Sequence, residues 1–141
     1  MKLKVTEVDV WAASIEDRPG GLAEKLAALT AAGSNLEFVL AHKASEQTDT
    51  GVVFVNPLKG AKQVQAATAA GFVQSGSVCS LRIEGTDKPG LGAKMPKGLA
   101  EAGINLRGLS AAAIGTKFVC YLAFDTADDA KKATDTLQKL S

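Results

Sequence analysis

The residues best suited to chemistry occur twice. Asp17-Arg18-Pro19-Gly20 and, 70 positions on, Asp87-Lys88-Pro89-Gly90 each put a carboxylate ahead of a proline-glycine turn, and Asn35 and Asn105 follow at matching spacing. Pro19 suits a turn or the first turn of a helix, and Gly20-Gly21 lets backbone come close to other backbone or to a ligand. Neither copy contains the GxxxxGK[ST] or GxGxxG pattern that cradles a phosphate. The same residues also have purely structural uses. An aspartate there caps a helix well, and an asparagine eases a turn.

No residues are arranged for bond-making chemistry. His42 is the single histidine and falls at a strand end, where a surface or structural role is expected. Cys79 and Cys120 lie in apolar, strand-like runs without CxxC spacing, so they read as two buried hydrophobes in a reducing compartment rather than a disulfide or a reactive thiol. There is no cluster with metal-ligand spacing and no nucleophile-base set. Asp128-Asp129 and Asp135 gather at or near a helix start, which suits the helix dipole. We expect no catalytic residue, no metal and no cofactor.

Composition narrows the partners. With 46% hydrophobic and 22% charged residues, the chain is able to bury a core. Its net charge of +1, with no Lys/Arg block longer than two, gives no concentrated basic face for nucleic acid. No apolar run approaches the ~20 residues that span a bilayer. The opening MKLKVTEVDVW carries charges where a signal peptide needs an apolar stretch. The expectation is a soluble cytoplasmic protein.

The elements that must position the turns can be read in order. Leu22, Leu26 and Leu29 recur at i, i+4 and i+7, the stripe of an amphipathic helix, and Gly33 suits its left-handed end. Leu36, Phe38 and Leu40 then alternate with Glu37, Val39 and Ala41, which predicts a strand with its apolar face on the first set. GVVFVN is a further strand, and Leu58, Ala61, Val64 and Ala67 mark a second helix ending at Gly71. The second copy repeats this: strand VCSLRIEG, turn, helix to Gly103, strand from Asn105, strand KFVCYLAF. A last helix opens at Thr126, with Asp129 completing a capping-box pattern and Ala130, Ala133, Leu137 and Leu140 as its buried stripe. Pro96 falls where the first copy has Leu26, and a bend or irregular turn is expected around Gly92–Pro96.

From Asp17 to Leu36, nine of twenty positions are identical at offset 70 (Asp, Pro, Gly, Ala, Leu, Ala, Gly, Asn, Leu), against roughly one or two by chance at ordinary residue frequencies. The chain is therefore an internal duplication. Each copy follows the ferredoxin-like βαββαβ plan, an α+β fold with antiparallel sheets and helices on one face. Boundaries at 1–70 and 71–141 are expected. The final helix leaves the second copy without a closing strand, so residues 2–8 are expected to complete its sheet, and residues 72–76 that of the first: the terminal strands are exchanged.

A strand, D-[RK]-P-G, an amphipathic helix, A-G-x-N-L and two further strands, all repeated, resemble the ACT-domain family of small ligand-sensing modules in amino-acid metabolism. The resemblance covers nearly the whole chain, twice. It implies modules whose sheets pair side by side and a small amino acid bound where two modules meet. The implied ligand positions are Asp17 and Asp87 in the turns, backbone N–H groups around Gly20, Gly21, Leu22 and Gly90, Leu91, Gly92, and the asparagines Asn35 and Asn105. A helix N-terminus attracts a carboxylate, an aspartate holds an ammonium, and an asparagine serves either. On this resemblance the chain is a non-catalytic regulatory protein that senses an amino acid, with a metabolic enzyme and a second copy of itself as further partners. The alternative is an interaction or dimerisation module without a small ligand.

Overall fold

A computed structural model describes residues 3–43, 49–74 and 79–140. The elements follow in the order β1 (Lys4–Val8), β2 (Trp11–Glu16), α1 (Gly21–Ala31), β3 (Phe38–Lys43), β4 (Thr50–Asn56), α2 (Gly60–Ala69), β5 (Val73–Gln74), β6 (Cys79–Thr86), α3 (Leu91–Glu101), β7 (Gly108–Ile114), β8 (Lys117–Phe124) and α4 (Ala127–Leu140). They form two four-stranded antiparallel sheets, ordered β3-β4-β2-β5 and β1-β6-β8-β7. Each carries two helices on one face, so the fold is α+β with two ferredoxin-like modules.

Module one is Asp9–Ser75; module two joins Met1–Val8 to Gly76–Ser141. β1 pairs with β6, Lys4 opposite Glu84 and Val8 opposite Ser80. β5 closes the other sheet, with Val73 opposite Ala12 and Gln74 opposite Trp11. Of the segments 2–8 and 72–76, residues 2, 75 and 76 lie outside the described residues.

Each module has its own core, and period-two alternation explains which side chains enter it. In β8, Phe118, Cys120, Leu122 and Phe124 face α3 and α4, meeting Met95, Leu99, Ala133 and Leu137. Cys120 is fully buried, and that burial pushes its thiol up to about 11, so it stays protonated as a small core hydrophobe. Tyr121 points to the opposite face, where its hydroxyl accepts a 3.0 Å hydrogen bond from Arg82. In module one, Val53, Val55, Leu29, Ala67 and Phe72 form the equivalent core. Lys25 of α1 donates to the Ala70 carbonyl just after α2, tying the two helices together. α4 matches the sequence pattern closely. Ala130, Ala133 and Leu137 are buried, and Thr126 Oγ1 accepts the Asp129 N–H at 3.1 Å.

β3 departs from its expected phase, and α3 carries an irregularity in its first turn. In β3, Val39 stands opposite the buried Val55 and Ala41 opposite the buried Val53, and Ala41 packs on the core while Val39 and Leu40 are both exposed. Leu36 joins the core from the loop, so the apolar phase slips by one before the strand begins. In α3, the helix runs unbroken from Leu91 to Glu101 with Pro96 inside it. A proline ring crowds the carbonyl four residues earlier, and that residue is Gly92. The helix differs from α1 in its first turn, where the Gly90 carbonyl accepts from both Ala93 (3.2 Å) and Lys94 (3.0 Å).

Candidate functional site

The D-x-P-G turn links β2 to α1. Asp17 N–H donates to the Asp49 carbonyl at 2.8 Å, Arg18 N–H to the Glu16 carbonyl at 2.9 Å, and Gly21 N–H to the Arg18 carbonyl at 3.1 Å. Gly20, at φ +86°, supplies the left-handed step into the helix. Gly21 meets the Glu16 carbonyl so closely that a Cβ there would lie 2.3 Å from the oxygen. Two adjacent glycines thus draw the strand end tightly over the helix start.

That helix start is open. The first i→i−4 bond is Glu24 N–H to the Gly20 carbonyl at 3.0 Å, so the amides of Leu22 and Ala23 have no acceptor within the helix and carry the positive end of its dipole. In module two the Ala93 amide already donates to Gly90, which leaves Gly92. Neither aspartate caps its helix. The N-caps are Gly20 and Gly90, and neither helix has a side-chain cap hydrogen bond. Asp17 instead pairs with Lys43 at the end of β3, Nζ to Oδ2 3.1 Å.

Between these groups lies a cleft of about 240 Å³, built entirely by module one. Ile15, Leu22 and Ala41 give it apolar walls, and Gly51 on β4 lies beneath the Ile15 side chain. Glu16, Asp17, Arg18, His42 and Lys43 give it a charged rim. Arg18 is held by Glu24 (2.7 Å) and Glu16. The hydrogen bonds it donates to Glu24 first, then to Glu16, keep its guanidinium protonated beyond the usual range, and Arg18 in turn holds the Glu24 carboxyl below its ordinary value. His42 is anchored through Nδ1 to the Lys43 carbonyl at 2.9 Å, with its ring 6.3 Å from Phe54.

Asp17 and Leu22 therefore line the cleft, and Gly20 and Gly21 shape its turn. Asn35 does not join them. It is exposed beyond the C-terminus of α1, a helix of 11 residues and therefore about 16 Å long at the standard rise. Asp17 and Asn35 of one module thus stand at opposite ends of the helix, as do Asp87 and Asn105. Beside Asn35, the Ser34 hydroxyl is buried without a partner among the described residues. In module two, Gly90 (φ +84°) makes the turn, Leu91 is buried in the core, and Asp87 and Gly92 are exposed. Sequence reasoning did not single out Lys43. A lysine ending a strand reads as solvated, and only the sheet order, with β3 and β2 flanking β4, brings it back to Asp17.

Among the described residues, no group of three or more His, Cys, Asp or Glu could hold a metal ion, and no helix is long and apolar enough to cross a membrane. No family model matches the chain, and no curated protein matches its sequence. Solved structures do match. A protein from Bacteroides thetaiotaomicron superposes with a TM-score of 0.77 at 18% identity, over 96% of this chain and 90% of that one. The ligand-free regulatory subunit of aspartate kinase from Thermus thermophilus gives 0.69 at 16%, over 99% and 96%. Aspartate kinase from Clostridium acetobutylicum gives 0.64 at 13%, over 96% of this chain and 33% of that enzyme. The fold is that of a tandem ACT-type protein.

Proposed function

We propose that the chain is a non-catalytic regulatory module that binds a small amino acid in the cleft beside the Asp17 turn. The observation that carries this reading is the Asp17–Lys43 pair on the cleft rim, next to the open amides of Leu22 and Ala23. A zwitterion matches it. The ammonium takes Asp17, the carboxylate takes Lys43 and the two amides, and a short side chain meets Ile15, Leu22 and Ala41. The exchange is favourable in magnitude. An exposed ion pair is worth about 0–1 kcal/mol, whereas each hydrogen bond to a charged group contributes about 1.5–3 kcal/mol. The likeness to aspartate kinase regulatory subunits supports a metabolic enzyme as the partner that reads the bound state.

A second reading, an interaction module, draws on β7. This sheet-edge strand, GLSAAAI, has no charged residue and exposes Leu109 and Ile114, and such edges pair readily with another chain, including a second copy. Thermal denaturation against each of the twenty L-amino acids at millimolar concentration separates the two. A ligand bound only by the native state at a hundredfold excess over its Kd adds about 2.7 kcal/mol. At least one amino acid should raise the melting temperature. A flat response to all twenty gives the interaction module.

A further inference from the structure

We infer that the chain takes one amino acid, in module one, and that the corresponding site in module two is filled by Phe118. The inference rests on the amino-acid reading above and adds to it the stoichiometry and its cause. Strand register aligns the two sites residue by residue. Across β3-β4-β2 the row beside the cleft is Lys43, Gly51, Ile15; across β7-β8-β6 it is Ala113, Phe118, Gly85.

The large residue of the row has moved from the β2-type strand to the middle strand. In module one, Ile15 lies over Gly51, where an added Cβ would meet its Cγ1 at 3.0 Å and the His42 carbonyl at 2.9 Å, and the cleft opens beside this smaller, aliphatic side chain. In module two, Phe118 is 7% exposed and its ring lies over Gly85, so that a Cβ at Gly85 would meet Phe118 Cε1 at 2.9 Å and Leu3 Cδ2 at 3.0 Å. The space is occupied from both sides by core side chains. The charges are gone as well. Alanine at 113 replaces the Lys43 cation, and Thr86 replaces Glu16. Asp87 keeps its place in the turn, but with one open amide and no lysine opposite, it retains half of a zwitterion site. An ammonium alone at an exposed carboxylate is weakly held.

Calorimetric titration of the full chain, with each of the twenty L-amino acids in turn as probe, tests this. The expected result is a hyperbolic isotherm with one equivalent per chain. Lys43→Ala, which copies Ala113 at a position whose side chain is 57% exposed, should weaken binding tenfold or more, and Lys43→Arg should restore it. Two equivalents per chain, or one equivalent bound by Lys43→Ala at wild-type affinity, would overturn the single-site inference and leave the amino-acid reading standing. No heat from any of the twenty would overturn that reading, and this inference with it.

Discussion

Replacing Asp17 by alanine should weaken amino-acid binding roughly tenfold to a hundredfold while leaving the unliganded protein almost as stable as before. The two halves have separate causes. A charge-assisted hydrogen bond is worth about 1.5–3 kcal/mol, and Asp17 is the carboxylate of the cleft that Arg18 does not hold. Its partner Lys43 is more than half exposed, so losing their pair costs the free protein at most about 1 kcal/mol. Calorimetry for affinity and thermal melts without ligand check both halves. A variant that binds as tightly as wild type removes Asp17 from the site. One that melts far lower makes Asp17 a fold residue.

The largest effect on stability at the site is expected from Gly21→Ala. The new methyl would lie 2.3 Å from the Glu16 carbonyl oxygen, a backbone atom that moves only if the turn moves. Overpacking of this kind costs about 1–3 kcal/mol, and the urea midpoint should fall accordingly at unchanged slope. Module two shows what relief looks like. Leu91 occupies the matching position with its side chain in the core, and its amide reaches the Lys88 carbonyl at a looser 3.3 Å. Gly21→Ala should push the Glu16–Arg18 turn towards that geometry and away from the cleft, so affinity falls too. Wild-type stability in this variant would show that the close approach is not a constraint.

These residues also mark where the sequence was legible. The offset-70 identities revealed the duplication, and hydrophobic periodicity placed the helices and strands, because both signals are local. α4 could be read almost completely, since its Thr126 cap and its Ala130–Ala133–Leu137 stripe lie within one element. β3 was misphased because Leu36 enters the core from a loop, where period-two logic does not yet apply. Pro96 was expected to distort its helix, and an irregularity stands a turn earlier, at the Gly90 carbonyl shared by Ala93 and Lys94. The site divided in the same way. Asp17, Gly20 and Gly21 are contiguous and stood out at once. Lys43 depends on three strands agreeing in register, and Asn35, close to the turn in motif terms, is a helix length away in space.

In the proposed complex, an amino acid sits at the start of α1 with its carboxylate on the helix amides. Amide NMR of the nitrogen-labelled chain, titrated with the amino acid that most raises the melting temperature, tests it most directly. Saturable shifts are expected, concentrated at Leu22, Ala23, Asp17 and Lys43, with Gly92 and Ala93 unmoved. Shifts that leave Leu22 and Ala23 in place and gather around Gly92, or on the β7 edge, would contradict it.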